Sequence, residues 1–153
     1  MTVLTRRTLL RTAPVALAGA VVLGKASSAQ AIEVSGGTLA LVTPFRVLDT
    51  RERAGALKYA VGDAEGITIP DLATLHGVVL NVTIADTEGS GFVRVADTVV
   101  WPPPTSTINW YADGQTVANL AIVHTHGESK VAVQLGGRGG KAHVILDVLG
   151  YVT

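Results

Sequence analysis

The sequence contains no cysteine, so disulfide bonds cannot stabilise the protein. Charged residues make up only 16% of its 153 residues, and aromatic residues 5%. Hydrophobic residues reach 48%, which excludes an intrinsically disordered chain. A chain of this length can bury enough apolar surface to fold without covalent cross-links. We therefore expect one domain that is stabilised by the packing of its core.

Basic residues are scarce after position 31. The chain has 12 Lys and Arg and 12 Asp and Glu. Four of the basic residues and none of the acidic ones lie in the first 31 positions, which leaves eight basic and 12 acidic residues and a formal charge of −4 for the rest. A nucleic-acid-binding domain needs a basic patch, and binding to an anionic membrane needs a run of Lys or Arg. The composition therefore argues against both kinds of partner.

Motifs that mark common catalytic sites are also missing. The sequence has no cysteine nucleophile, no Walker loop and no H-E-x-x-H pair. Ser90 lies between two glycines but lacks the G-x-S-x-G spacing of a nucleophile elbow. The glycines at 136–140 precede a predicted strand, so they lack the helix N-terminus that captures phosphate. We predict no enzymatic activity and no cofactor.

The first 31 residues have the three parts of a twin-arginine signal peptide in the correct order. Arg6 and Arg7 open it, an apolar stretch follows over 13–24, and Ala29-Gln30-Ala31 ends it. The apolar stretch is too short for a transmembrane helix, which needs about 20 residues. We expect export by the twin-arginine pathway, cleavage before Ile32, no stable membrane insertion afterwards, and an extracellular or envelope-associated protein.

Residues 32–38 read as a linker, and 39–153 as a single all-β domain. Apolar and polar residues alternate over 78–85, 92–96, 130–135 and 142–148, which is typical of strands with one buried face. Further strands are predicted near 39–43, 45–49, 107–112 and 117–125, with an irregular stretch over 54–74 and one helical turn over 70–75. Short strands without helices indicate a two-layer antiparallel β-sandwich or jelly roll. The predicted core consists of Leu80, Val82, Ile84, Val93, Val95, Val131, Val133, Val144, Leu146 and Val148.

Several motifs follow one another in an order that resembles a domain family of exported actinobacterial proteins. The most distinctive are R-V-L-D-T-R at 46–51 and D-V-x-G-Y at 147–151; the others are L-N-V-T at 80–83, G-F-V at 91–93, I-N at 108–109 and G-Q-T-V-A-N at 114–119. The resemblance covers roughly 40–153, and the chain departs from it at His124-Thr125-His126. It implies an accessory or surface module without enzymatic activity of its own.

Arg46, Asp49 and Arg51 are the first candidates for a binding site. On an extended backbone Asp49 and Arg51 share a face about 6.6 Å apart, within reach of an ion pair. Such a pair could hold a polar ligand. It could equally be a structural pair that fixes the first strand against a neighbouring segment.

Trp101, Trp110 and Tyr111 are the second group of candidates. Exposed aromatic side chains are a common platform for sugar rings and for partner proteins. Trp110 and Tyr111 are adjacent, so on a strand they face opposite ways and only one can line a given face. Packing in the core is the alternative role for these side chains.

Two pairs of polar residues suggest weaker sites. On a strand, His124 and His126 would share a face and could chelate a metal, but no spacing identifies the further ligands that a stable site needs. We therefore predict no metal site there. His143 and Asp147 lie about 13 Å apart along one strand, so each must find its partner on another strand.

Three functions stay open at this point. The first is a secreted or cell-surface, non-catalytic β module that binds a cell-envelope polysaccharide or a surface protein. The second is a structural surface protein that associates with itself. The third is a secreted hydrolase that uses Asp49, His143 and Asp147. An exposed aromatic surface would favour binding, an uncovered edge strand self-association, and a cleft where histidines and carboxylates converge hydrolysis.

Overall fold

The computed structural model describes residues 37–53 and 55–153. The predicted signal peptide and all but the last two residues of the predicted linker lie outside the described residues. The strands are β1 (Leu39–Asp49), β2 (Tyr59–Ala60), β3 (Ala64–Thr68), β4 (Gly77–Glu88), β5 (Gly91–Ala96), β6 (Ile108–Trp110), β7 (Val117–His124), β8 (Lys130–Gly137) and β9 (Lys141–Val152). A short 3-10 turn spans Leu72–Thr74.

The strands form two antiparallel sheets that pack face to face. The larger sheet has the order β1-β9-β4-β7, and β2 adds to it by pairing with the beginning of β9. The smaller sheet has the order β3-β8-β5-β6. This arrangement confirms the predicted two-layer β-sandwich.

The core lies between the inner faces of the two sheets. All ten residues that the alternation placed in the core are buried there. They come from β4 and β9 on one side and from β5 and β8 on the other. The pattern works because successive side chains of a strand point to opposite faces, so a strand that packs on one side shows a period of two.

The prediction of an irregular stretch over 54–74 was partly wrong. The helical turn predicted there is confirmed at Leu72–Thr74, but β2 and β3 also lie in this stretch. Only Ile67 of the five residues in β3 is buried, and Gly66 interrupts the strand, so no alternation marks it. The two strands predicted at 39–43 and 45–49 are one strand, β1. Pro44 is tolerated because β1 lies at the sheet edge and its register with β9 shifts between Leu41 and Phe45.

The glycine-rich turn between β8 and β9 is explained by close approach of the chain. The ring of Phe92 on β5 covers Gly136, and any side chain there would collide with it. A Cβ atom on Gly140 would lie 2.6 Å from the carbonyl oxygen of Ser90. The glycines at these two positions therefore let the hairpin pack against the neighbouring β4–β5 turn.

Candidate functional sites

The R-V-L-D-T-R segment ends β1 with a buried carboxylate. The Asp49 side chain is only 2% exposed. Its Oδ1 accepts hydrogen bonds from the backbone N–H of Arg51 at 3.0 Å and from Nε of Arg51 at 2.9 Å, while Oδ2 accepts from the Arg51 terminal nitrogen at 2.6 Å. The predicted pairing of Asp49 with Arg51 is therefore present, in the two-pronged geometry that favours arginine over lysine.

Arg46 connects this carboxylate to the last strand. It donates to Asp49 Oδ2 at 2.9 Å and, through Nε, to Asp147 Oδ1 at 2.7 Å. Arg46 and Asp147 are also direct partners in the β1–β9 register. The side chains of Arg46 and Arg51 stay 43% and 46% exposed. The segment therefore fixes the first strand to the last one, with the charges of both arginines at the surface.

The arginines also set the ionisation of Asp49. Hydrogen bonds from Arg51 are the largest influence and lower the pKa of Asp49 to about 2, against the opposing effect of burial. The carboxylate is therefore ionised at any pH above this value. Its oxygens are occupied by donors from the chain itself.

Thr50 and His143 form a second link between β1 and β9. The backbone N–H of Thr50 donates to the Val144 carbonyl oxygen at 3.1 Å, and the Val144 N–H donates to Thr50 Oγ1 at 3.1 Å. Thr50 Oγ1 also forms a hydrogen bond with His143 Nδ1 at 3.0 Å. Burial is the largest cause of the lowered pKa of His143. As predicted, His143 and Asp147 find partners on another segment rather than on each other.

A shallow depression lies beside the Arg46–Asp147 pair. Its volume is about 520 Å³, and its lining residues are Pro44, Phe45, Arg46, Glu52, Asn81, Asp147 and Leu149. The nearby amide of Asn81 donates to Thr83 Oγ1 at 3.3 Å. Hydrogen-bonding groups thus lie next to apolar walls, as in a site for a polar ligand, but Arg46 and Asp147 are already bonded to one another.

The three candidate aromatic residues lie in different environments. Trp110 is fully buried, and its Nε1 donates to the carbonyl oxygen of Glu88 at 3.2 Å. The prediction of Trp110 as a surface binding residue was therefore wrong, because its ring packs over Gly91, where a Cβ atom would lie 2.6 Å from it. Tyr111 is 80% exposed, which confirms that the adjacent pair faces opposite ways.

Trp101 lies on the β5–β6 loop, and its neighbours there are also apolar. Val99, Val100 and Trp101 are all exposed, Trp101 by 50%. The fully buried Gln134 on β8 holds this loop in place. Its Oε1 accepts from the backbone N–H of Val100 at 3.2 Å, and its Nε2 donates to the Val100 carbonyl oxygen at 3.0 Å. One side-chain amide thus satisfies both backbone groups of the residue before the tryptophan.

Arg94 on β5 supports the same loop. It is buried, and it donates to the carbonyl oxygen of Thr98 at 2.7 Å and to Gln134 Oε1. Within the described residues no carboxylate pairs with it, and its Nε has no acceptor. Burying such groups is costly unless they are bonded. Alternation did not predict a role for Arg94 and Gln134, because both occupy positions that alternate with the core residues and therefore look solvent-facing.

The two neighbouring histidines do not share a strand as predicted. β7 ends at His124, and His126 adopts a positive φ of 48° in the following turn. Their rings nevertheless meet edge to face, with centroids 4.0 Å apart. His126 Nε2 lies 3.6 Å from Asp97. In the part of the chain that the structure describes, no group of three or more His, Cys, Asp or Glu side chains is arranged to hold a metal ion.

Comparison with known proteins gives no relative for this chain. No family model matches it, and neither does any curated protein or solved structure. Within residues 37–53 and 55–153, no helix has the length and apolar character needed to cross a membrane.

Proposed function

We propose that this protein is an exported, non-catalytic β-sandwich module that binds a component of the cell envelope through the loop carrying Val99, Val100 and Trp101. The envelope component is a polysaccharide or a surface protein. The observation that carries the proposal is the pair of hydrogen bonds by which the buried Gln134 holds Val100.

The chemistry of the loop supports binding. An exposed tryptophan offers a large apolar surface with a polar N–H, which suits both sugar rings and protein partners. A loop that is already held in one conformation loses little freedom on binding, and this preserves affinity. Two buried polar side chains, Arg94 and Gln134, hold a loop whose neighbouring side chains are apolar and exposed. The two buried side chains thus fix the backbone of an exposed apolar loop.

Export is part of the same proposal. The twin-arginine pattern around Arg6 and Arg7 and the resemblance of 40–153 to domains of exported actinobacterial proteins both support it. The absence of cysteine is compatible with a protein that folds before it leaves the cytoplasm.

Binding to purified envelope fractions tests the proposal. The protein is incubated with separate polysaccharide and protein fractions, and the bound amount is measured by sedimentation. We expect Trp101→Ala to lower the affinity at least tenfold for one of the two fractions. Tyr111→Ala is the matched control, since it removes an exposed aromatic ring from another loop and should leave binding unchanged. Unaltered binding of the Trp101→Ala variant would refute the role of the loop.

The depression beside Arg46 and Asp147 is the second candidate for the ligand site. It offers the amide of Asn81 and the apolar walls formed by Phe45 and Leu149. Asn81→Ala is therefore included in the same binding experiment, and a selective loss in this variant would move the site to the depression. The hydrolase hypothesis has less support, because Asp49 and Asp147 are paired with arginines and His143 is buried against Thr50.

A further inference from the structure

Strand β7 forms an edge of the larger sheet and carries exposed apolar side chains. Among the described strands, β4 is its single pairing partner. Leu120 is 56% and Ile122 64% exposed on its outer face, while Val123 and Ala121 point to the core. Its eight residues include no charged residue, no proline and no glycine. An edge of this kind favours pairing with another strand.

The other sheet edges are protected against such pairing. β1 contains Pro44 and Arg46, and its register with β9 shifts twice. β3 has five residues and carries Glu65, while β6 has only three residues. Proline, charge, irregular register and short length are the usual means of blocking edge-to-edge contact. Among the described strands, β7 therefore differs from the other edges by lacking all of these devices.

The outer side of β7 carries backbone groups with which no other described strand pairs. Within the described part of the chain, a single hydrogen bond reaches β7 from outside β4, and it joins Nδ2 of Asn119 to the carbonyl oxygen of Thr107. This bond uses a side chain and leaves the backbone groups of the strand available. A second strand could thus extend the sheet with regular main-chain hydrogen bonds.

We propose that β7 pairs antiparallel with β7 of a second copy of this chain, forming a two-fold dimer with one continuous ten-stranded sheet. In the register we infer, Ala121 lies opposite Ala121 of the second copy. Leu120 then faces Ile122 of the second copy, and this pair occurs twice. The alternative register, centred on Leu120, gives a single Leu–Leu pair and two Ala–Ile pairs, which bury less apolar surface between cross-strand neighbours.

The self-complementarity of β7 identifies a second copy of this chain as its pairing partner. A strand without charge brings no like charges together when it pairs with itself, whereas each of the other long edges brings its own proline or charge. A dimer through one edge also closes on itself and leaves no second exposed β7 for further growth. This proposal does not rest on the proposed envelope-binding loop. Trp101 lies between β5 and β6, outside β7, and different variants test the two sites.

The mass of the protein in solution tests the proposal. We expect analytical ultracentrifugation to show a concentration-dependent monomer–dimer equilibrium. Ile122→Lys should weaken the dimer at least tenfold, since it places an ammonium group against the apolar Leu120 of the second copy. Leu57→Lys changes an equally exposed apolar residue in a loop and should leave the dimer intact. A purely monomeric wild type, larger open assemblies, or a dimer unaffected by Ile122→Lys would each overturn the proposal.

Because the chain lacks cysteine, disulfide cross-linking of single-cysteine variants tests the proposed register directly. Ala121→Cys places two thiols opposite each other at the two-fold axis, within the distance that a disulfide requires. We expect mild oxidation to convert this variant to a covalent dimer. Ala118→Cys, whose thiol would lie opposite His124 of the second copy, should stay uncrosslinked. Efficient cross-linking of Ala118→Cys, or none of Ala121→Cys, would contradict the proposed pairing.

Discussion

The buried carboxylate of Asp49 is negatively charged and forms ion pairs with two partly exposed arginines. Its oxygens accept three hydrogen bonds from Arg51 and one from Arg46. Arg46 continues to Asp147, and Thr50 pairs with Val144, so Arg46 and Thr50 attach the end of β1 to β9, while Asp49 and Arg51 are joined to them through Arg46. This arrangement favours a structural role for the segment over a ligand-binding role.

Substitution of Asp49 separates the two roles. We expect Asp49→Ala to lower the free energy of unfolding by about 2–4 kcal/mol. Removing one partner of a buried ion pair can cost more than this, but the two arginines here are partly exposed and can be solvated by water instead. Thermal and denaturant unfolding measure the loss. Glu52→Ala is the matched control, since it removes an exposed acidic side chain nearby and should change stability by less than about 0.5 kcal/mol. An unchanged unfolding midpoint for Asp49→Ala would make this segment the leading ligand site.

The same carboxylate gives an acid-dependent contribution to stability. The pKa of Asp49 is about 2 in the folded protein, below its ordinary value of 3.8. The folded state therefore binds this proton less readily than the unfolded state does. The ionised Asp49 therefore contributes about 2 kcal/mol to the free energy of unfolding; this contribution is present above pH 4 and is lost as the pH falls through 2. Asp49→Asn should reduce the difference in stability between pH 5 and pH 2 by about this amount.

At the scale of strands, the alternation of apolar and polar residues identified most of the buried faces. It failed where a residue is buried by a distant segment of the chain rather than by the facing sheet. Val82 and Leu146 were assigned correctly because β4 and β9 pack on one side along most of their length. β3 was missed because Ile67 alone is buried there. Gln134 and Trp110 were misread because a loop covers the outer face of β8 and a glycine makes room under the tryptophan ring. Contacts of this kind depend on distant segments, and single-strand patterns do not encode them.

The last strand provides a test of the assigned faces. Leu146 is fully buried in the core. We expect Leu146→Ala to lower the free energy of unfolding by about 2–5 kcal/mol, because it removes buried apolar surface and leaves a cavity. Leu57→Ala shortens an exposed leucine in a loop and serves as the control, with a change below about 0.5 kcal/mol. A loss below about 1 kcal/mol for Leu146→Ala would mean that the inner face of β9 is assigned wrongly.

For the molecule as a whole, the pairing of β1 with β9 joins the beginning and the end of the domain. Most of the neighbouring strands in the larger sheet are far apart in sequence, so the sheet cannot be completed until β9 has been synthesised. Folding therefore requires the whole domain, and this is compatible with the export of an already folded protein that the twin-arginine pattern predicts.

Exchanging the paired arginines tests this route. We expect Arg6→Lys combined with Arg7→Lys to retain the protein inside the cell in folded form, since this export route depends on the arginine pair. Arg11→Lys is the matched control, because it makes the same change at a single arginine in the same segment and should leave export intact. Immunoblots of cell and culture fractions measure the distribution. N-terminal sequencing of the exported protein should begin at Ile32, and finding Met1 there would contradict cleavage of the segment.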